Sequence, residues 1–123
     1  MASELRITLP TISYLKNGIT INITPPINPM LADVTGENSM NDVVTLSTSN
    51  TALSKGNISS IGYVFFKNLD ATNNILIGSD GTTYPMMLKP GEYAFFRWNL
   101  AGALLQAKAS AGTPVLQYCL IEA

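Results

Sequence analysis

The sequence predicts an all-β protein: a single β-sandwich of jelly-roll type with about eight strands and an extended N-terminal arm. Short runs of apolar and β-branched residues recur every 8 to 12 residues or so, with turn sequences between them. No stretch of about ten or more residues has a convincing amphipathic helix pattern. The chain has 123 residues, 46% of them hydrophobic, which suffices for one core without disulfides or metal.

The first predicted strand lies in the arm, which we assign to residues 1–29, with the sandwich domain at residues 30–123. Leu5, Ile7 and Leu9 alternate with polar residues, which is the pattern of a half-buried strand. Residues 1–29 as a whole are also compatible with the first strands of the sheet, bent by prolines.

A second part of the arm is predicted to form a tight turn at Lys16-Asn17-Gly18, followed by a strand. Asn17-Gly18 is a strong turn signal, and residues 19–24 then alternate isoleucine with polar residues. Three prolines among residues 25–29 favour an extended path with few backbone donors. The sequence therefore predicts a stiff linker between the arm and the sandwich.

The sandwich domain begins with an irregular stretch, residues 30–41, which we predict to be a long loop. Turn residues then separate a series of apolar runs. Lys89-Pro90-Gly91 fits a type II turn, because glycine readily takes the position that requires a positive φ. The predicted strands of this domain are residues 43–48, 61–68, 74–78, 82–88, 92–98, a strand near 105–110, and 115–122.

One segment is ambiguous between helix and strand. Leu100, Ala103, Leu104 and Ala107 have helical spacing, and these residue types form helices readily. Residues 105–110, however, also alternate apolar with polar, and Gly102 and Gly112 bound the stretch closely. We favour a strand after a short turn.

The composition argues against most enzymes and against general nucleic-acid binding. Charged residues make up only 12% of the chain, and seven Lys and Arg against eight Asp and Glu give a net charge of −1. No basic excess is available to bind a phosphate backbone. The chain has no histidine, the commonest general base and a common metal ligand. We therefore predict no enzymatic activity and no cofactor.

Uncharged polar residues take the place of the missing charges. The chain contains ten serines, twelve threonines and eleven asparagines. Proteins with such a weakly charged surface repel one another little, which suits a protein that packs against copies of itself. The alternative is a low-charge domain with no such role.

The start of the chain lacks the basic and apolar regions of a signal peptide, and no apolar run is long enough to span a bilayer. The sequence therefore predicts a product made in the cytoplasm that does not enter a membrane.

Isolated chemical groups favour structural roles. Cys119 lies within an apolar strand and has no histidine to activate it, so we interpret it as a buried small residue. Asp70, Asn73, Asn74 and Asp80 could ligate calcium, but they match no ordered calcium loop and are also typical turn residues. The turn interpretation is favoured.

The aromatic residues suggest that part of the surface is covered. Alternate residues of a strand point to opposite faces, so Tyr93 and Phe95 lie on one side, and Phe96 and Trp98 on the other. A sheet face that is exposed to solvent does not usually carry a cluster of such large apolar rings. We infer that the arm or a neighbouring subunit covers it, and that Arg97 pairs with Glu92 or stacks on a ring.

The C-terminal part of the chain resembles small β-rich structural proteins of tailed bacteriophages. The resemblance covers about residues 33–123 and excludes the arm. It rests on three runs: 62–73 with Ile77-Gly78, 88–92, and the ending from Ala107 to Glu122. It implies a virion component, and we interpret the chain as a capsid decoration, or cement, protein.

The resemblance further implies self-association, favouring a trimer, and contact with the major capsid protein or other virion proteins. The arm fits this role because an extended segment can add a strand to a neighbour's sheet. The alternative is a tail or fibre component, or a module that binds host glycans, with Tyr84 and Trp98 as exposed rings. The candidate interaction residues are Leu5, Ile7, Leu9, Ile12, Tyr14 and Trp98.

Overall fold

The computed structural model describes residues 4–8, 12–23, 30–33, 36, 38–99 and 103–123. These residues form twelve strands and no helix, so this part of the chain has no helix that could cross a membrane. The chain divides into two compact units, Met1–Thr35 and Gly36–Ala123. The division therefore falls after Thr35, whereas the sequence placed the end of the arm at Pro29.

The first unit contains two antiparallel strand pairs. Its strands are β1 (Glu4–Ile7), β2 (Ile12–Lys16), β3 (Ile19–Ile23) and β4 (Met30–Asp33). β1 pairs with β4, and β2 pairs with β3. The prediction of one long loop over residues 30–41 was wrong, because its first part pairs with β1 and its last part begins β5. The predicted proline linker at residues 25–29 lies outside the described residues.

The β2–β3 hairpin has the two-residue turn that the sequence predicts. Asn17 and Gly18 both have positive φ, 52° and 77°. Two successive residues with positive φ form the type I′ turn, whose twist matches that of the flanking strands. The turn fixes a register in which Tyr14 lies opposite Ile21 and Lys16 opposite Ile19.

The second unit is a sandwich of eight strands in two four-stranded antiparallel sheets. Sheet I has the order β10-β7-β12-β5, and sheet II has the order β6-β11-β8-β9. The strands are β5 (Ser39–Thr45), β6 (Thr51–Ala52), β7 (Ile61–Asn68), β8 (Ile75–Gly78), β9 (Met86–Leu88), β10 (Tyr93–Arg97), β11 (Gln106–Ala109) and β12 (Val115–Glu122).

The pairing of these strands has the jelly-roll pattern. β5 pairs with β12, β6 with β11, β7 with β10 and β8 with β9. The four pairs are therefore nested: the first strand of the unit pairs with the last, the second with the second-to-last, and so on. Pairing of β12 with β7 and of β11 with β8 joins these hairpins into the two sheets. A long hairpin wound into two sheets in this way is a jelly roll, so the predicted fold class is confirmed.

The core lies between the two sheets, where alternate residues of each strand are buried. In β12, Leu116, Tyr118 and Leu120 are buried, and the residues between them are half-buried. Strand β7 contributes Val64 and Phe66. The period of two follows from the pleat of a strand, and it separates a core face from an outer face on sheet I. Further core residues from sheet II are Ile75, Ile77, Leu88, Ala107 and Ala109.

The structure resolves the ambiguous segment as a strand, since Gln106–Ala109 forms β11 between β6 and β8. The type II turn is also confirmed: Gly91 has a φ of 79°, and the Glu92 amide donates to the Lys89 carbonyl at 3.0 Å. The strand predicted over residues 82–88 is shorter, because Asp80 accepts hydrogen bonds from the Thr82 and Thr83 amides and turns the chain there.

Candidate interaction face

The outer side of sheet I carries a cluster of aromatic residues on its strands β7 and β10. We call it the aromatic face, and its residues are Tyr63, Phe65, Lys67, Tyr93, Phe95 and Arg97. These residues are cross-strand partners: Tyr63 pairs with Arg97, Phe65 with Phe95 and Lys67 with Tyr93. They share one side of the sheet because they alternate with core residues along both strands.

The side chains of the aromatic face pack against one another diagonally across the two strands. Tyr63 stacks on Phe95 with ring centroids 5.6 Å apart and planes 7° from parallel. Phe65 stacks on Tyr93 with centroids 6.0 Å apart and planes 29° from parallel. The guanidinium carbon of Arg97 lies 5.2 Å from the centroid of the Tyr63 ring. Such contacts form the cation–π and stacked-ring arrangements that fix side-chain orientation.

The β10 side of this cluster is open to solvent, whereas Tyr63 of β7 is buried and Phe65 is half-buried. Tyr93 is 69% exposed and Phe95 is 36% exposed. On the neighbouring strands, Cys119 and Ile121 of β12 lie opposite Phe65 and Tyr63 and are half-buried. Apolar surface therefore continues from β10 across β7 to β12, which is the type of patch that marks an interaction site.

Charged residues lie at both ends of the aromatic face. Arg97 ends the strand, whereas Glu92 directly precedes its first residue, Tyr93. The Glu92 carboxylate is exposed and accepts a hydrogen bond from the Lys89 amide at 2.8 Å. A cation therefore lies at each end of the face, Arg97 at one end and Lys67, the cross-strand partner of Tyr93, at the other. The predicted alternatives for Arg97 were pairing with Glu92 or stacking on a ring, and the structure shows stacking.

Cys119 lies on the outer side of sheet I, beside the aromatic face. Burial raises the pKa of its thiol, so the thiol form is favoured at neutral pH. The structure thus places the residue in apolar surroundings that do not activate it as a nucleophile.

The predicted interaction residues of the arm lie in the first unit. Leu5 and Ile7 belong to β1 and are half-buried. Ile12 and Tyr14 belong to β2, opposite Ile23 and Ile21. Leu9 lies outside the described residues.

Trp98, the remaining predicted interaction residue, packs inward. Its ring lies 6.3 Å from that of Phe96, and both side chains pack against the core. The indole Nε1 is buried and has no hydrogen-bond acceptor among the described residues. Tyr84, the other ring considered for glycan binding, is half-buried, and its hydroxyl contacts Asn50 and Gly81 while Lys108 lies over its ring.

The acidic residues considered as calcium ligands form turns instead. Asp70 accepts hydrogen bonds from the amides of Thr72 and Asn73, and Asp80 accepts them from Thr82 and Thr83. Backbone amides lower the pKa of both carboxyl groups, with Asn73 the largest contributor for Asp70 and Thr83 for Asp80. The described residues contain no group of three or more His, Cys, Asp or Glu placed to hold a metal ion.

The aromatic face was only partly predicted from the sequence. Alternation in β10 placed Tyr93 and Phe95 together, but four successive apolar residues, 63–66, hid the alternation of β7. Predicting the whole aromatic face would have required knowing that β7 pairs with β10. No local sequence pattern specifies that pairing. Comparison of the chain with protein-family models, curated proteins and solved structures finds no match.

Proposed function

We propose that the protein is a non-enzymatic structural component of a phage virion. In this proposal it is a capsid decoration protein that stabilises the head through self-association and contacts with shell proteins. The observation that carries the proposal is the aromatic face, which exposes stacked rings on a sheet whose other side already packs on the core. The apolar area of such a face is removed from contact with water only when a second surface covers it, and this removal is energetically favourable.

The weak charge of the chain supports assembly. The net charge is −1, and only 12% of the residues are charged, so copies repel one another little. The arm adds exposed apolar residues, since Leu15 and Ile19 are exposed on opposite faces of its β2–β3 hairpin. Contacts repeated by symmetry give high avidity from individually weak interfaces.

The resemblance to phage structural proteins supplies the virion setting and favours a trimer with the major capsid protein as partner. Small jelly rolls occur in capsid proteins, but the fold also hosts many other functions. The fold alone therefore does not select this role. The specific support comes from the aromatic face together with the low charge.

The alternative is a tail or fibre component that binds host glycans. The exposed ring of Tyr93 favours it, because sugars stack on open aromatic faces. Against it, the rings of this cluster already stack on one another, and Trp98 packs on the core. The aromatic face is therefore better suited to burial under a protein surface than to sugar binding.

The test is sedimentation of the purified protein, first alone and then with empty heads of the phage that encodes it. We expect a defined oligomer that co-sediments with the heads. Tyr93→Lys should weaken this binding at least tenfold, because a charge in the buried contact is costly (about 1.4 kcal/mol per factor of ten). Met87→Lys is the matched control, since Met87 is exposed on sheet II, away from the aromatic face.

Three results decide between the candidates. Binding that Tyr93→Lys reduces and Met87→Lys does not supports decoration. An oligomer that ignores heads but binds host cells or their glycans supports the tail alternative. A monomer that binds neither refutes both assignments.

A further inference from the structure

We propose that the protein forms a two-fold dimer in which β10 of one copy pairs antiparallel with β10 of a second copy. The contact joins the two copies of sheet I into one continuous sheet, with Phe95 at the two-fold axis. The inference rests on the proposed function only in so far as that function includes self-association. A two-fold contact joins copies in pairs, so it predicts a dimer rather than the trimer that the resemblance favours.

Strand β10 has one free side, because it lies at the edge of sheet I. The hydrogen bonds at its two ends show which backbone groups face β7. At one end the Glu92 carbonyl accepts from the Asn68 amide, and at the other end the Trp98 amide donates to the Gly62 carbonyl. Hydrogen bonding to a given neighbour alternates along an antiparallel strand. The even-numbered residues of 92–98 therefore bond to β7, and the odd-numbered ones direct their backbone groups outward.

The outward backbone groups belong to Tyr93, Phe95 and Arg97, and their arrangement is self-complementary. Because Phe95 is the middle residue of β10, a two-fold axis beside it places each of these residues opposite another of the three. Phe95 meets Phe95 of the second copy, and Tyr93 meets Arg97 at both ends. Each pair can exchange two backbone hydrogen bonds, which satisfies the whole outward side of the strand. No described residue of the same chain pairs with this side.

The side chains are also complementary in this register. Tyr93 lies opposite Arg97 of the second copy, and a guanidinium beside a tyrosine ring is a favourable contact. The two Phe95 rings meet, and aromatic pairs across strands are stabilising. On the core side, Ala94 lies opposite Phe96, a small residue against a large one. The dimer therefore covers part of Tyr93 and Phe95, which are 69% and 36% exposed, and places no like charges directly opposite each other.

The other three edges of the sandwich are protected against such pairing. Strands β6 and β9, at the edges of sheet II, have only two and three residues. Strand β5 is the second edge of sheet I, and Asp42 is its middle residue, so full pairing with a second copy would bring two carboxylates together. Asp42 also accepts a hydrogen bond at 2.8 Å from the Val43 amide, which faces away from β12. Short length and central charge are common forms of edge protection, and β10 has neither.

The experiment is disulfide formation in a Cys119→Ser background, with sedimentation of the same samples. The Cα atoms of a hydrogen-bonded antiparallel pair lie about 5.5 Å apart, within the span of a disulfide. Phe95→Cys should therefore cross-link two copies under mild oxidation. Tyr93→Cys is the matched control, since its two copies lie four residues apart along the paired strands, roughly 13 Å. We expect at least about tenfold more cross-linked dimer from Phe95→Cys.

A second pair of substitutions leaves the stacking of Phe95 on Tyr63 intact and decides the matter if Phe95→Cys does not fold. Chains with Tyr93→Cys are co-expressed with mass-tagged chains that carry Arg97→Cys. The register places these two cysteines opposite each other, so the mixed disulfide should exceed either symmetric one at least about tenfold. Val43→Cys, at an exposed position of β5, reports pairing through the other edge of sheet I.

A solution dimer in which the mixed disulfide forms supports the inference. A folded oligomer without the mixed disulfide overturns it, as does preferential cross-linking of Val43→Cys or a protein that remains monomeric. If a protein with one of these three results still binds phage heads, head decoration stands without this contact. If the dimer forms with the mixed disulfide but binds no heads, the contact stands and the proposed function fails.

Discussion

Tyr63 and Phe95 stack diagonally across strands β7 and β10, with ring centroids 5.6 Å apart and planes 7° from parallel. Tyr63 is buried in this arrangement, although it lies on the outer side of sheet I. The outer side of the sheet thus contributes to stability as well as to any interface. Substitutions can separate the two contributions.

Tyr63→Ala should lower the free energy of unfolding by about 3 kcal/mol, because it removes a buried ring and the stacking contact of that ring with Phe95. Arg97→Ala should cost less than about 1 kcal/mol, since an exposed cation–π contact is weak. Urea titration of both variants measures this difference. Equal losses in the two variants would contradict the stacking account.

Glu122→Ala should lower the free energy of unfolding by about 3 kcal/mol. The buried carboxylate accepts hydrogen bonds from the amide and side chain of Asn38 and from the amide and hydroxyl of Ser59. Its removal leaves these donors without that acceptor, and hydrogen bonds to charged groups are among the stronger ones. Glu92→Ala is the control and should cost less than about 1 kcal/mol, because that carboxylate is exposed.

Asn68→Asp should destabilise the protein by about 3 kcal/mol despite its nearly identical shape. The fully buried amide of Asn68 donates to the carbonyls of Asn73 and Leu88, and its oxygen accepts from the Asp70 amide. A carboxylate cannot donate to two carbonyls, and it also places a charge in the core. Asn99→Asp, at an exposed position, should change thermal unfolding little. A similar small effect at residue 68 would refute the proposed role of the amide.

Trp98→Ala should lower the free energy of unfolding by about 3 kcal/mol, because the ring packs on Phe96 and the core. Trp98→Phe should lose less than about 1 kcal/mol, since the indole Nε1 has no acceptor among the described residues. Under the proposed function, both variants should bind phage heads as well as the unsubstituted protein. Loss of binding in a stable Trp98→Phe variant would instead place the indole in an interface.

The protein should become less stable as the pH rises into the alkaline range. Burial raises the pKa of Tyr118 and of Cys119, and the nearby charge of Asp42 adds to the effect on Tyr118. The folded state then holds these protons more tightly than the unfolded state, whose values are about 10 and about 8.5. This contribution to stability is complete below those values and is lost as the pH rises through the raised ones.

Thermal unfolding between pH 7 and pH 11 or so measures this dependence. Cys119→Ser removes the group with the lower pKa, so the decline in Tm should begin at a higher pH in that variant. An identical decline in both proteins would show that Cys119 does not contribute.

The regions that could be predicted are those where local pattern and burial agree. Residues 61–68 and 115–122 were predicted with the bounds that β7 and β12 have. Both are inner strands of sheet I, with a hydrogen-bonded strand on each side. Strands in such positions have long apolar runs, which are easy to recognise in a sequence. The Asn17-Gly18 and Pro90-Gly91 turns were predicted because their backbone conformations strongly favour these residue types.

The regions that could not be predicted depend on contacts between distant segments. Strand β4 forms because residues 30–33 meet β1, and the two-residue strand β6 forms because it meets β11. Neither has a local pattern that distinguishes it from a loop. The aromatic face likewise joins β7 and β10, which lie in different parts of the chain.

The sequence alone determined the all-β class, the main turns and the scarcity of charge, since periodicity, backbone preference and composition are local properties of the chain. Only the tertiary structure decided that Trp98 packs inward while Tyr93 and Phe95 lie outward beside Tyr63. Alternation separates the two sides of a strand, but which side meets the second sheet depends on how the whole chain is wound. The core side was therefore fixed by the pairing of strands far apart in the sequence.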